Sequence, residues 1–319
     1  MRYRVIPLSK QDIPSAMDIL LQGYETEKEA NPLLPPRMMG SSSEVESFLM
    51  KAITNGAVGV VSDGQMIGFM AVSALFQFKG QRAALVGEVC HGTSVEDRLG
   101  VYQVLYEALG EYLDQQKARV HIVSHLANDR SLQEALYQLG FGAFVAERIR
   151  DLSKVGGAAQ VELSQEEDFT SIQELETEHM RYYRKPPIYL WKDDSTESVR
   201  AGLTTRQNHK DALFVYRENG RPMAYFMVGE CTGDEAGRIL RNTNTAQLMS
   251  AYASPSIRGR GIGKALLNRS IEWAQSQGFS RLFVEHETAN IYGGNFWRRH
   301  FSPYLYFSMR YIEDCTQSE

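Results

Sequence analysis

The chain has 319 residues, 43% of them hydrophobic and 23% charged, which excludes disordered, collagen-like and disulfide-scaffold proteins and leaves room for about two compact domains. Its 34 basic and 39 acidic side chains give a formal charge of -5 and a pI near 5.9, a poor match to a protein that must neutralise many nucleic-acid phosphates. The three cysteines, Cys90, Cys231 and Cys315, form no CxxC pair and no Cys/His cluster, so no metal site is expected. With no signal-peptide apolar region and no unbroken spanning segment, a reduced, cytoplasmic protein without membrane or nucleic-acid partners is expected.

Along the chain, the first half carries a helix-start box at Ser9-x-x-Asp12, the pair Pro35-Pro36, two apolar strands joined by Asp63-Gly64, and Asn128 ahead of a short helix. The same four landmarks recur in order at Ser164-x-x-Glu167, Pro186-Pro187, Asn219-Gly220 and Asn290, at a nearly constant offset, which marks an internal duplication. Between the copies, Asp151 to Gln160 contains Gly156-Gly157-Ala158-Ala159 and reads as a junction, because such small residues sustain no core-facing pattern. The expected domains are therefore residues 1–152 and 158–319, each a mixed α/β unit. In the second copy we expect a strand at Val161 to Leu163 and helices over 166–184 and 195–209. Strands are expected near 212–218, 222–229 and 248–253, a helix from Ile262 to Gln277 stopped by Gly278, and a strand from Arg281 to Glu287.

The segment that carries chemistry is Ser254-Pro255-Ser256-Ile257-Arg258-Gly259-Arg260-Gly261-Ile262-Gly263-Lys264, a glycine-rich turn between a strand and a helix. The first amides of a helix have no internal partner, and the helix start carries partial positive charge, so an anion docks there with several hydrogen bonds. The spacing matches neither a Walker loop nor a Gly-x-Gly-x-x-Gly dinucleotide loop. The corresponding place in the first half reads His91-Gly92-Thr93-Ser94-Val95-Glu96-Asp97-Arg98. There Thr93-x-x-Glu96 is a capping box that satisfies the helix start from within, and the acidic pair repels phosphate.

Arg-x-x-Gly-x-Gly from Arg258 to Gly263, followed by Phe283 to Asn290, Gly293, Phe296-Trp297 and Phe301, resembles the GCN5-related N-acetyltransferase (GNAT) superfamily. The resemblance is carried by residues 245–312 and implies two tandem GNAT-like domains with mixed sheets, the first degenerate and the second binding acetyl-CoA. It implies that Ala251, Tyr252 and Ala253, on the strand before the loop, hold the thioester and pantetheine arm through a strand bulge. The loop residues Arg258, Gly259, Arg260, Gly261, Ile262, Gly263 and Lys264 would wrap the diphosphate, with Asn290 and Trp297 completing the cofactor site.

By the same resemblance the activity is N-acetyl transfer to a primary amine, a small molecule being favoured because a second domain can enclose the pocket. Glu285 is then the catalytic base and Glu287, on the same strand face, its reserve, with His286 on the opposite face. Trp297 stands where the family's acid tyrosine is usual, leaving Tyr292, Tyr304, Tyr306 or solvent for that role. Rings between Tyr182 and Trp191, beside Glu174, Glu176 and Glu178, would hold a cationic acceptor. The rival reading is a non-catalytic acyl-CoA-binding or scaffold protein.

Overall fold

The computed structural model describes residues 3–39, 41–234 and 236–313. In chain order the elements begin β1 (Arg4–Pro7), α1 (Ile13–Ala30), α2 (Ser42–Thr54), β2 (Ala57–Ser62), β3 (Gln65–Ala71), β4 (Ala74–Phe78) and β5 (Gln81–Val86). They continue with β6 (His91–Thr93), α3 (Arg98–Gln115), β7 (Val120–Leu126), α4 (Arg130–Gln138) and β8 (Gly142–Arg150). The second half of the chain follows as β9 (Ser164–Glu166), α5 (Gln173–Tyr183), α6 (Thr196–Asn208), β10 (Ala212–Glu218), β11 (Arg221–Glu230) and β12 (Thr245–Ala253). It ends with α7 (Ile262–Ser276), β13 (Arg281–Glu287), α8 (Ile291–His300) and β14 (Ser302–Tyr311).

The chain forms two compact units, residues 1–146 with 303–319, and residues 147–302. This division differs from the linear one expected from sequence: nearly all of β14, the last strand of the chain, belongs to the first unit, where it pairs antiparallel with β7 from Leu305↔Leu126 to Tyr311↔Val120. A strand's partner is a long-range matter that local composition does not encode. The junction also falls earlier, at 146/147 within β8.

In the first unit β1, β2, β3 and β6 form an antiparallel sheet, and β4, β5, β7 and β14 follow one another in a second. Thr93 and Glu96 do not cap α3. The N-cap is Asp97, whose carboxylate accepts from the Gly100 amide at 3.1 Å, while Thr93 accepts from Arg98 Nε. The expectation fails on the residue, but the helix start is filled by a protein carboxylate. Asn128 likewise precedes the true α4 cap, Asp129, and its side-chain amide donates instead to buried Glu27 at 2.8 Å.

The second unit is a five-stranded sheet in the order β9-β10-β11-β12-β13, antiparallel except for β12 with β13. Strand alternation sorts its core onto two faces. Ala212, Phe214, Ala224, Phe226 and Val228 pack against Leu266, Leu267, Ile271 and Ala274 of α7. Leu213, Val215, Tyr225 and Met227 face Leu175 of α5 and Val199 and Leu203 of α6. The first strand sits slightly later than expected, at Ser164–Glu166, and Asp168, not Ser164, begins the helical run by accepting from the Thr170 amide. Cys90 and Cys231 are buried and not disulfide-bonded; Cys315 lies outside the described residues. No helix among those residues is long and apolar enough to cross a membrane, and they hold no His/Cys/Asp/Glu cluster fit for a metal.

Three buried histidines make folding pH-dependent. Desolvation lowers His121, His125 and His286 each to about 4, against about 6.5 in an unfolded chain. Between those values only the unfolded state binds the proton, so stability is complete above pH 6.5 and falls on acidification, by up to about 1.4 kcal/mol per pH unit for each histidine. Urea unfolding of His286→Gln at pH 5 and 6 is expected to show a shallower pH slope by about that amount; an unchanged slope would exclude the assignment.

Candidate active site

The site opens where two strands part. β12 and β13 pair only from Thr245↔Arg281 to Leu248↔Val284. On its other edge β12 loses register just there, Val228 opposing Leu248 while Met227 opposes Ser250, so that Met249 is the extra residue of a bulge. The bulge shifts the alternation by one: Ala246 and Leu248 face α7, whereas Tyr252 turns to the α5 face. The Ser254 amide donates to Met223 on β11, so the amides of Ala253 and Ala251, alternating with it, point away from β11 into the gap. Glu285, the first β13 residue beyond the last pair, is exposed and lines the cavity that fills the gap, with a volume of about 1170 Å³.

One end of this cavity is the start of α7. Of the eight helices among the described residues, five have an N-cap side chain accepting a first-turn amide, namely Ser41, Asp97, Asp129, Ser195 and Asn290. Two others, α1 and α5, continue directly from 3-10 turns. Only α7 begins on a glycine, Gly261 at φ +80°, without a side-chain cap. A Cβ there would lie 3.0 Å from the Ala159 nitrogen and would occupy a left-handed backbone that L side chains rarely adopt. The amides following Gly261 therefore face the cavity wall made by Gly259 to Lys264 without a protein acceptor side chain.

The cations of the loop are differently committed. Arg258 donates from Nε to the Ala253 carbonyl at 2.9 Å and lies 5.1, 5.6 and 5.3 Å from the rings of Tyr182, Tyr252 and Tyr292; it braces the cavity wall. Arg260 pairs with Glu218 at 2.8 Å. Lys264 extends toward Gly157.

The opposite end is acidic and aromatic. Tyr225 on β11 donates to Glu176 and lies 2.9 Å from His179 Nδ1 and 2.8 Å from Ser250 Oγ beside the bulge. His179 stacks on Tyr252 at 4.9 Å, whose hydroxyl donates to Glu178 at 2.9 Å. The Tyr183 phenol is raised well above its usual range, by burial first and then by Glu287, which accepts its hydrogen bond, and by Glu176 and Glu285. Glu287, Glu176 and Glu285 all act on this half-buried phenol, a field that favours a cation. Lys192, Asp193 and Arg206 complete this wall.

Of the residues expected from sequence, Ala251, Tyr252, Ala253, Arg258 to Lys264, Glu285, Asn290 and Trp297 all line this cavity. Asn290 caps α8, and its Oδ1 accepts from Tyr182 at 3.0 Å. Trp297 is 7% exposed, packed against Phe226, Phe296 and Phe301. Glu287 stands behind Tyr183 and not on the cavity wall. Tyr304 is not brought to the site: it is fully buried in the first unit, with its carbonyl bonded to the Ala127 amide, a core position that a count along the sequence cannot distinguish from a pocket position. Tyr306 is also in the first unit. His286 faces away from Glu285, accepting from Arg148 Nε at 2.9 Å. Of the three acceptor-side glutamates, Glu176 joins the Tyr225 network, Glu178 holds Tyr252, and Glu174 lies on a separate 580 Å³ cleft. Sequence reading missed Tyr225, Ser250, His179 and the Gly157–Ala159 wall; the one local signal was the polar Ser250 in the otherwise apolar run from Leu248 to Ala253.

Residues 170–301 match the model of the Acetyltransferase (GNAT) family. Streptothricin acetyltransferase A of Bacillus subtilis (strain 168) is 31% identical over 91 residues, 28% of this chain and 51% of that protein. An uncharacterised N-acetyltransferase of Methanocaldococcus jannaschii is 33% identical over 69 residues, 22% of this chain and 29% of that one. The matches thus span about half the length of the first relative and less of the second. Among solved structures, a GCN5-related N-acetyltransferase from Sphaerobacter thermophilus aligns over 98% of this chain and 96% of its own, with TM-score 0.58 and 16% identity. A glucosamine N-acetyltransferase region of a fungal multi-domain β-N-acetylglucosaminidase aligns over 97% and 38%, with TM-score 0.51 and 14% identity. The family match lies wholly within the second unit, and the Sphaerobacter structure shares the fold of this chain over nearly its whole length.

Proposed function

We propose that the second unit is an acetyl-CoA-dependent N-acetyltransferase acting on a primary amine of a small molecule by direct transfer. The observation that carries this reading is the uncapped α7 start at one end of a cavity whose other end is carboxylate-lined. The cavity residues suit the coenzyme. The first-turn amides after Gly261 and the partial charge of the helix start take the diphosphate, and the gap-facing amides of Ala251 and Ala253 take the pantetheine arm and polarise the carbonyl. When bound, acetyl-CoA supplies the acetyl group as a thioester. Glu285 receives the proton the amine must lose, while Glu176 and the carboxylates around Tyr183 draw the ammonium in. The nitrogen–carbon bond forms as the nitrogen releases its second proton to solvent, the carbon–sulfur bond breaks, and the thiolate is protonated from solvent. The size of the cavity and the name of the streptothricin acetyltransferase relative favour a small acceptor over a protein.

A non-catalytic acyl-CoA-binding role is the alternative, favoured by one observation: Trp297, which has no hydroxyl to donate, is packed at the usual position of the acid. Two variants separate the readings. Gly261→Val is expected to weaken CoA binding at least tenfold by calorimetry, about 1.4 kcal/mol or more, since the new side chain meets Ala159 and strains the helix start. Glu285→Gln is expected to keep CoA affinity and to lower kcat about 10²- to 10⁴-fold in a thiol-release assay over an amine panel. CoA binding without turnover of any amine by the unmodified protein would select the non-catalytic role, and undiminished binding by Gly261→Val would overturn the site.

A further inference from the structure

The segment expected to be a loose junction is held along the length of α7. Leu152 accepts from Gln275 at 3.0 Å, and Lys154 pairs with Glu272 at 2.7 Å. The amide and carbonyl of Val155 are both bound by the side chain of Asn268, at 2.8 and 2.9 Å. Beyond these anchors the Ala159 amide donates to the carbonyl of Gly261, the residue that starts α7, at 3.2 Å. Leu152, Val155, Ala159 and Val161 pack on the α7 core. Between the anchors Gly157, at φ +70°, passes so close to Lys264 that a Cβ would lie 3.1 Å from Nζ, and Gly157, Ala158 and Ala159 form part of the cavity wall.

We infer that residues 155–159 are a strap that forms the outer wall of the nucleotide end of the coenzyme site and discriminates ligands carrying a diphosphate from those without one. This deepens the function proposed above and rests on it. Asn268 and Gly261 fix the two ends of the strap to the helix whose start takes the anion, so the diphosphate is confined between the helix start and the strap. Gly157 leaves room for the Lys264 ammonium against the strap, and at its positive φ an L side chain is strained. The pantetheine arm, held at the β12–β13 gap, does not reach this wall, so the strap acts on affinity for the nucleotide and not on the chemical step.

The test uses Gly157→Val and Asn268→Ala in the full chain, each checked for a native circular-dichroism spectrum, and calorimetric titration with CoA, dephospho-CoA and pantetheine. Both variants are expected to lose about tenfold or more in affinity for CoA and dephospho-CoA, to keep their affinity for pantetheine, and to keep kcat at saturating acetyl-CoA. In the unmodified protein, CoA and not pantetheine is expected to slow hydrogen exchange at the amides of residues 155–159. Equal losses for all three ligands, or unchanged CoA affinity with unchanged exchange, would overturn the strap. Absence of CoA binding to the unmodified protein would overturn the function on which it rests.

Discussion

The candidate site depends on an unfilled helix start. A helix leaves its first amides without internal partners, and among the described residues the vacancy is closed by a side chain or by a 3-10 turn running into the helix, except at α7. Gly261 can take the left-handed conformation that aims those amides at the cavity, and having no side chain it leaves them open. The corresponding helix of the first unit shows the alternative outcome from the same architecture: Asp97 accepts from Gly100, and a Cβ at Gly100 would collide with that carboxylate. A phosphate approaching α3 would meet a fixed negative charge where α7 presents donors.

A second constraint follows from strand geometry. One extra residue, Met249, inverts the alternation of β12, turning Ser250 toward Tyr225 and Tyr252 toward His179, while the parting of β12 from β13 leaves gap-facing amides on one edge and Glu285 on the other. The bulge thus links the polar network around Tyr225 to the backbone donors that face the gap. Arg258 stabilises this arrangement from outside: it is sequestered among three tyrosines and the Ala253 carbonyl, holding the end of β12 against α5 and α8.

Local features were legible in the sequence because they depend on neighbours a few residues away. The two-residue turns at Asp63-Gly64 and Asn219-Gly220, the strands 212–218 and 281–287, and the glycine start of α7 all belong to this kind. Non-local features were not. The last strand reads like any strand of the second copy, yet its pairing with β7 places it, and Tyr304 with it, in the first unit. Gly156-Gly157-Ala158-Ala159 has the composition of a linker, and its order comes from Asn268 and Gln275, more than a hundred residues away. Thr93 and Glu96 have the spacing of a capping box, but the true cap one residue after Glu96 depends on where α3 begins, which side-chain pattern alone fixes only to within a residue or two.

The most direct measurement is a crystal structure of the full chain grown with CoA. One coenzyme per chain is expected, its diphosphate within hydrogen-bond distance of the main-chain nitrogens of Ile262, Gly263 and Lys264 and its thiol beside Glu285. Coenzyme seated at the start of α3, or a diphosphate remote from α7, would contradict this placement.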